Sequence, residues 1–480
     1  LEKTIRELDG CKRELEIRLT NEELQPHFYN AYAEVQPHIE LKGFRKGKVP
    51  IKLIKQYFGK RIEEDAVDKI TNDVFKELVD KKEVKAVGEV NFEESIRTDD
   101  GLLIRLTYDT LPEFELQDYK SLTVFEPIHP VDDKEIEEQI QDLLLSNGDY
   151  NKVDEITGDK FLVTLNLFTT DKETEEILNS EQPIETKVLL YDKSVIKELK
   201  EKLMNCRKGD TFLFNPHDYE QSAPDTLYTV KVAEIEEITP LEFTNEWVQS
   251  YTQGRLVSTE EYHEEVGFEI QEKWNQKARV EMENQIINKI VGMHDFPLPD
   301  SVLKKTAKEL AKDYAAKFKM NFGDNDAMLE RFAQDLIPTA RPMVKWEIIR
   351  NKIIEKENIE IEDFDLENFI NDEVPNKDLD SGKLKKYIME NDYFKNTILT
   401  KKLMDFLLDF TTTEEIPFDD YYKKMKEQAG SEHHLHTHGD GSIHTHLDHA
   451  DDEDYDDDYD DNDFDDDEES NEKTEEQEKQ

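Results

Sequence analysis

The sequence predicts a multidomain α+β protein that gives way to an all-helical C-terminal part and an acidic tail. Three observations predict this class. Apolar residues alternate with period two near the start and again from about 150 to 238, each time beside helical stretches. Beyond Pro240 they recur at steps of three and four. After about Gln428 neither period survives. The expected divisions are residues 1–112, a linker with one helix over 113–149, a small domain over 150–238, a helical domain over 239–428, and a tail over 429–480.

The elements follow in order. "CKRELEIRL" puts Leu15, Ile17 and Leu19 on one face of a strand. Thr20 and Glu23 have capping-box spacing, opening a helix with Leu24, Phe28, Tyr32 and Val35 on one stripe, which Pro37 ends. A basic segment comes next, then a helix from about Pro50 and a third helix carrying Val67, Ile70, Val74 and Leu78. "FEESIRTDDGLLIRLTYDTLP" reads as a hairpin around Asp100-Gly101. "LTVFEPIHPVDD" reads as an extended linker, followed by a helix with Ile136, Ile140, Leu143 and Leu144 inward. "KFLVTLNLF", "TKVLLY", "DTFLFN" and "LYTVKVAEI" are strands, interrupted by a helix over Val195 to Met204. Leu303, Ala307, Leu310, Tyr314 and Phe318 make one later helical stripe, and Leu399, Leu403, Phe406, Leu407 and Phe410 another. Pro297, Pro299, Pro338, Pro342, Pro375 and Pro417 punctuate these helices. The tail composition buries too little apolar area to offset the entropy of ordering, so a disordered tail is expected.

The chain has 114 acidic and 62 basic residues, a formal net charge of −52. Such a field repels nucleic acid and anionic membrane, so any RNA contact must be local. No apolar run approaches the length of a membrane span. Cys11 and Cys206 form no disulfide framework, and a soluble cytoplasmic protein is expected. The chain starts at Leu1 rather than Met, which leaves room for a true start upstream. There is no G-x-x-x-x-G-K-[ST] motif, and no cofactor is expected.

Against this acidity, Leu41 to Arg61 carries eight Lys or Arg and no Asp or Glu. Gly43 and Gly47 bracket the loop "GFRKGKVP" and permit positive φ, while Pro50 suits the start of a helix. Phe44 on such a loop is aimed at a partner, and Arg45, Lys46 and Lys48 suit phosphate or carboxylate groups. The plainer alternative is a solvated connection between helices.

"GFRKGKVP", followed by a helix and "YFGKRIEEDAV", closely resembles the docking signature of the trigger factor family of bacterial ribosome-associated chaperones. "LTYDTLPEFELQDYKSLTVFEP" resembles that family's passage from docking domain to linker, the middle strands its FKBP-like domain, and the last helices its substrate cradle. The resemblance implies that Gly43, Phe44, Arg45, Lys46, Gly47 and Lys48 dock on the large ribosomal subunit, against an exit-tunnel protein and nearby rRNA. It implies nascent and unfolded polypeptides as clients; the missing nucleotide-binding motif points to a mechanism without ATP, and a homodimer away from the ribosome stays open.

An FKBP-like domain raises the question of peptidyl-prolyl isomerisation. The uncatalysed reaction takes tens of seconds, and an apolar aromatic pocket suffices to speed it. "RKGDTF" resembles the family's Lys-x-Gly turn, and Phe212, Tyr219 and Tyr228 are candidate pocket walls. Two stretches depart: the family's Pro-Gly-Phe-Glu is "KELK" here, with Leu199 at the pocket Phe, and its Phe-Thr-Gly strand end is Leu167-Phe168-Thr169. The expectation is a retained fold with weak or absent catalysis.

In the helical part, Met320, Phe322, Met328 and Phe332 are candidate client contacts, since flexible Met and aromatic side chains repack against many sequences; packing between helices is the alternative. In the tail, His433, His434, His436, His438, His444, His446 and His449 fall within seventeen residues. That spacing suits a divalent metal such as Zn²⁺, Ni²⁺ or Cu²⁺, with a solubilising polyelectrolyte as the alternative. The aspartate run after it reads as a solvated charge run.

Overall fold

The computed structural model describes residues 2–172, 174–178, 183–219, 226–317, 326–373, 381–428, 435–437 and 443–445. The chain splits into two compact units, one made of Leu1–Asp132 with Gly267–Asp448, the other containing Asp133–Val266.

The first unit begins with β1 (Glu2–Asp9) and β2 (Lys12–Thr20), then helices α1 (Asn21–Val35) and α2 (Ile51–Asp80), then β3 (Val87–Arg97) and β4 (Gly101–Asp109). The strands form an antiparallel sheet in the order β1-β2-β4-β3. Leu15 pairs with Leu106 and Ile17 with Ile104, and this face is buried with Leu24, Phe28 and Tyr32 of α1. Val35, the last residue of the predicted stripe, is exposed. The other face is an ion network in which Glu16 accepts hydrogen bonds from Arg18 at 2.8 Å and Arg105 at 3.2 Å. Those two hydrogen bonds hold the Glu16 carboxyl below the usual range. The Thr20–Glu23 capping box is formed at the start of α1.

The two helices expected after the basic segment are one helix of 30 residues. Gly59 lies inside it, and an isolated helical glycine costs about 1 kcal/mol relative to alanine. Burial of Ile54, Ile62, Ala66, Ile70, Val74 and Leu78 along one stripe outweighs that cost. After β4 the chain crosses to β5 (Thr123–Ile128), which lies within the stretch expected to be a linker.

The second unit contains α3 (Asp133–Ser146), β6 (Asp149–Lys152), β7 (Phe161–Thr169), β8 (Ile184–Leu189), α4 (Lys197–Leu203), β9 (Thr211–Phe214), β10 (Tyr228–Thr239) and α5 (Asn245–Tyr251). Its antiparallel sheet runs β6-β10-β7-β8, with β9 also on β10. Ile156, Phe161, Val163, Leu165, Leu203, Phe214, Val230 and Val232 make its core.

The chain then turns helical: α6 (Thr259–Met293), α7 (Asp300–Lys317), α8 (Asp326–Asp335), α9 (Ile337–Glu357), α10 (Asp363–Glu373), α11 (Ser381–Glu390), α12 (Asp392–Phe410), β11 (Thr412–Pro417) and α13 (Phe418–Gln428). Pro338 and Pro342 fall within α9 rather than between helices; Pro338 is in the first turn, where its missing N–H costs no bond. Ile286, Ile290, Trp346, Ile349, Leu403 and Leu407 bury one core together with Tyr119, Leu122 and Val124. The stretch around β5 is therefore structural: Tyr119 donates to Glu357 at 2.6 Å, and β5 pairs in parallel with β11. Its other edge is satisfied by glutamine side chains of α6. Gln285 bonds both the N–H and the C=O of Phe125 at 2.8 Å, and Gln271 bonds the C=O of His129 at 3.1 Å. Within this unit, the Asp109 carboxylate at the end of β4 accepts from the Ser301 N–H at 2.7 Å, capping α7. Gly88 permits that approach, since a Cβ there would lie 2.3 Å from the Ser301 Oγ.

Of the tail, the structure describes two strands, β12 (Leu435–Thr437) and β13 (Ile443–Thr445), paired antiparallel with His436 opposite His444.

Candidate functional site

The basic loop leaves the end of α1 through a short 3-10 turn over Gln36–His38 and enters α2 after Pro50. Its course is two consecutive tight turns. The Phe44 N–H donates to the Leu41 C=O at 2.9 Å, and the Lys48 N–H to the Arg45 C=O at 2.9 Å. Gly43 and Gly47 take φ of +96° and +75°, a region that side chains with a Cβ rarely adopt. At Gly47 the constraint is double, because a Cβ would sit 3.2 Å from the Pro37 carbonyl oxygen. The base is fastened by Val49, fully buried, whose carbonyl accepts from Gln36 Nε2 at 2.7 Å.

What the loop presents is Phe44, 43% exposed, with Lys42, Arg45, Lys46 and Lys48 exposed around it. Lys46 lies 3.3 Å from Glu40. Among the described residues, Arg45 and Lys48 have no carboxylate partner. An exposed aromatic ring held among cations suits a surface that is partly apolar and partly anionic. On α2, Tyr57 is 62% and Phe58 38% exposed. The "YFGKR" run contains both, but helical spacing alone does not single them out, because it leaves open which face of α2 is buried.

The candidate pocket walls of the second unit lie on and after its β9–β10 ladder. Tyr228 pairs with Phe214 and Phe212 with Val230, so the four share one sheet face. Phe212, Tyr228 and Leu199 pack against the core, and Lys202 Nζ lies 5.8 Å from the Phe212 ring centroid. Tyr219 is largely exposed and stacks on Phe214 at 5.4 Å.

In the helical part, Met328 on α8 is 53% exposed, whereas Phe332, one turn on, packs into the core shared by α7, α8 and α9. Met320 and Phe322 lie outside the described residues, as does Phe318 of the predicted stripe. A groove of about 340 Å³ between β5 and α6 was not anticipated; Ile128, His129, Pro130, Trp274 and Met282 line it, with the His129 and Trp274 rings stacked at 4.1 Å. No local signal marks it, because its two walls are some 140 residues apart in sequence.

His433, His434, His438, His446 and His449 lie outside the described residues, and of His436 and His444 only the backbone pairing is described. Among the described residues no group of three or more His, Cys, Asp or Glu is placed to hold a metal ion, and no helix is long and apolar enough to cross a membrane.

Two family models match the chain: "Bacterial trigger factor protein (TF)" over residues 1–143 and "Bacterial trigger factor protein (TF) C-terminus" over residues 258–409. Trigger factor of Prosthecochloris aestuarii is 26% identical over 74% of this chain and 82% of its own length. Trigger factor of Pelodictyon phaeoclathratiforme is 25% identical over 86% and 98%. A solved structure of the trigger factor chaperone aligns over 85% of this chain and 99% of its own, at 18% identity and a TM-score of 0.45. The basic loop falls inside the first match and most of the helical core inside the second: the chain belongs to the bacterial trigger factor family of ribosome-associated chaperones.

Proposed function

We propose that loop Gly43–Lys48 is the foothold by which this cytoplasmic chaperone docks on the large ribosomal subunit, and that the helical part shields nascent polypeptides there without ATP. The observation that carries the reading is the loop itself. Glycine-dependent turns and the buried Val49 preset it, so little ordering entropy opposes docking. Its cations stand out on a chain of net charge −52, which limits attachment to RNA elsewhere. Ribosome co-sedimentation at physiological salt tests this. The parent is expected to pellet with ribosomes, and a Phe44→Ala/Arg45→Ala/Lys46→Ala variant to lose at least tenfold in affinity. A variant that binds like the parent overturns the loop's role.

Client contact is assigned to exposed apolar side chains of the helical part, Met328 and the Trp274 groove among them. The sequence boundaries at residues 112, 149, 238 and 428 are proposed as its functional divisions. For the residues over 150–238 the reading is an FKBP-like shell that binds unfolded chain with little isomerase activity, supported by Leu199 and Leu167 at positions the family fills with aromatics. A proline-limited refolding assay decides this: a holdase lowers aggregation and leaves the slow phase unchanged, and acceleration of that phase would restore the isomerase. Divalent metal at the tail histidines rests on sequence alone, and Ni²⁺ titration of the full chain tests it.

A further inference from the structure

The loop's cations lack a matching set of carboxylates in the described fold. Between Lys42 and Lys55 there are six basic residues and no acidic one. Glu40 reaches Lys46, and among the described residues Lys42, Arg45, Lys48, Lys52 and Lys55 have no ion-pair partner. At the other end of the sequence, residues 451–469 hold fifteen Asp or Glu and no Lys or Arg, with Tyr455, Tyr459 and Phe464 interspersed. The two segments complement each other twice over, cation to carboxylate and exposed ring to ring.

We infer that segment 451–469 docks on the Lys42–Lys55 surface of its own chain and competes there with the anionic partner of the loop. Reach permits it. From Gln428, the end of α13, to Asp451 there are 23 residues, a contour of about 80 Å at about 3.3–3.6 Å per residue. Tethering raises the local concentration of the acidic segment to the order of millimolar, so even a weak contact is populated. A second lysine-rich surface exists, the cleft of about 480 Å³ between β3 and α7 with Lys12, Lys304, Lys305, Lys308 and Lys312. It is a poorer host, because Glu89, Asp109, Asp300, Glu309 and Glu330 line the same cleft and balance those five charges. Among the described residues, the loop has only Glu40. Occupancy of the loop by the acidic segment would make docking selective: a partner must displace the segment, which a dense, correctly shaped anionic surface does and scattered RNA does not.

The competition rests on the docking reading, whereas the contact does not, and two measurements on the full chain separate them. The first is zero-length carbodiimide cross-linking of a dilute mixture of ¹⁵N-labelled and unlabelled protein, without ribosomes. Cross-links from residues 451–469 to Lys42, Lys46, Lys48, Lys52 or Lys55 within one isotopic copy are expected. Links only to Lys304, Lys308 and Lys312, links only between copies, or none, overturn the contact. The second compares ribosome binding of the parent with a full-length variant in which each Asp→Asn and each Glu→Gln change is made across 451–469. The variant is expected to bind at least tenfold tighter at about 0.05 M salt, the gap closing as the screening length falls to about 8 Å at 0.15 M and below. Equal affinities overturn the competition even when the cross-links form. If neither protein pellets with ribosomes, the docking reading fails, the competition falls with it, and the cross-links alone decide the contact.

Discussion

The basic loop and the surface of the helical part take opposite routes to an exposed apolar group. In the loop, Phe44 is exposed because the backbone around it is forced outward: positive φ at Gly43 and Gly47, two tight turns, and Val49 buried beneath. The two turns and both glycines lie within Leu41–Lys48, and only the burial of Val49 calls on residues outside that run. On α8 the backbone is regular, and which apolar residue faces solvent depends on what packs beside it, so Met328 is exposed and Phe332 is partly buried against α7 and α9. A site made by local conformation is legible in a motif, and a site made by the leftover surface of a packed bundle is not.

Substitutions separate the two routes, and the largest effect belongs to the bundle. Trp346→Ala empties a fully buried position among α6, α9 and α12 and is expected to cost about 3–5 kcal/mol in urea unfolding. Phe332→Ala, partly buried, is expected to cost about 2 kcal/mol, which would confirm that it is a packing residue rather than a client contact. In the loop, Gly47→Ala places a Cβ at φ +75° against Pro37 and is expected to cost about 1–2 kcal/mol, together with a loss of ribosome affinity that melting alone does not explain. If Gly47→Ala were neutral in both assays, the preset loop would be the wrong account.

A smaller, pH-dependent effect belongs to α6 and α13. Burial pushes the Glu281 carboxyl above its usual range, opposed by the hydrogen bond that Tyr421 donates at 2.9 Å. The folded state therefore keeps a proton that the unfolded chain has already lost, and stability falls as pH rises from the ordinary glutamate range through the raised one. Glu281→Gln keeps an acceptor for Tyr421 and is expected to flatten that fall in a melting-temperature series; an unchanged slope would remove Glu281 as its cause. Smallest of all, Met328→Ala is expected to leave stability within about 0.5 kcal/mol while weakening capture of an unfolded client.

Much of the local structure was legible. The alternation in Leu15, Ile17 and Leu19, the Thr20–Glu23 box and the Asp100-Gly101 hairpin all reappear in the structure, because each depends on neighbours in sequence. Two readings of local pattern differ from the fold for one reason. The stretch after the basic segment read as two helices, and the Thr123–Ile128 stretch as a linker. Both are held by partners far away in sequence: the apolar stripe of α2 against the N-terminal core in the first case, β11 and the glutamines of α6 in the second. The Trp274 groove has the same origin.

Helical and strand periods, glycine φ and ionisation are properties of short stretches, so the class of most segments, the turns of the loop and its charge are readable from sequence alone. Only the tertiary structure decided that β5 is a buried strand edge, that Asp109 caps α7, and that Phe332 is core while Met328 is surface. Those outcomes depend on which distant groups remain unsatisfied or unburied until the chain closes on itself. No window of sequence holds both partners.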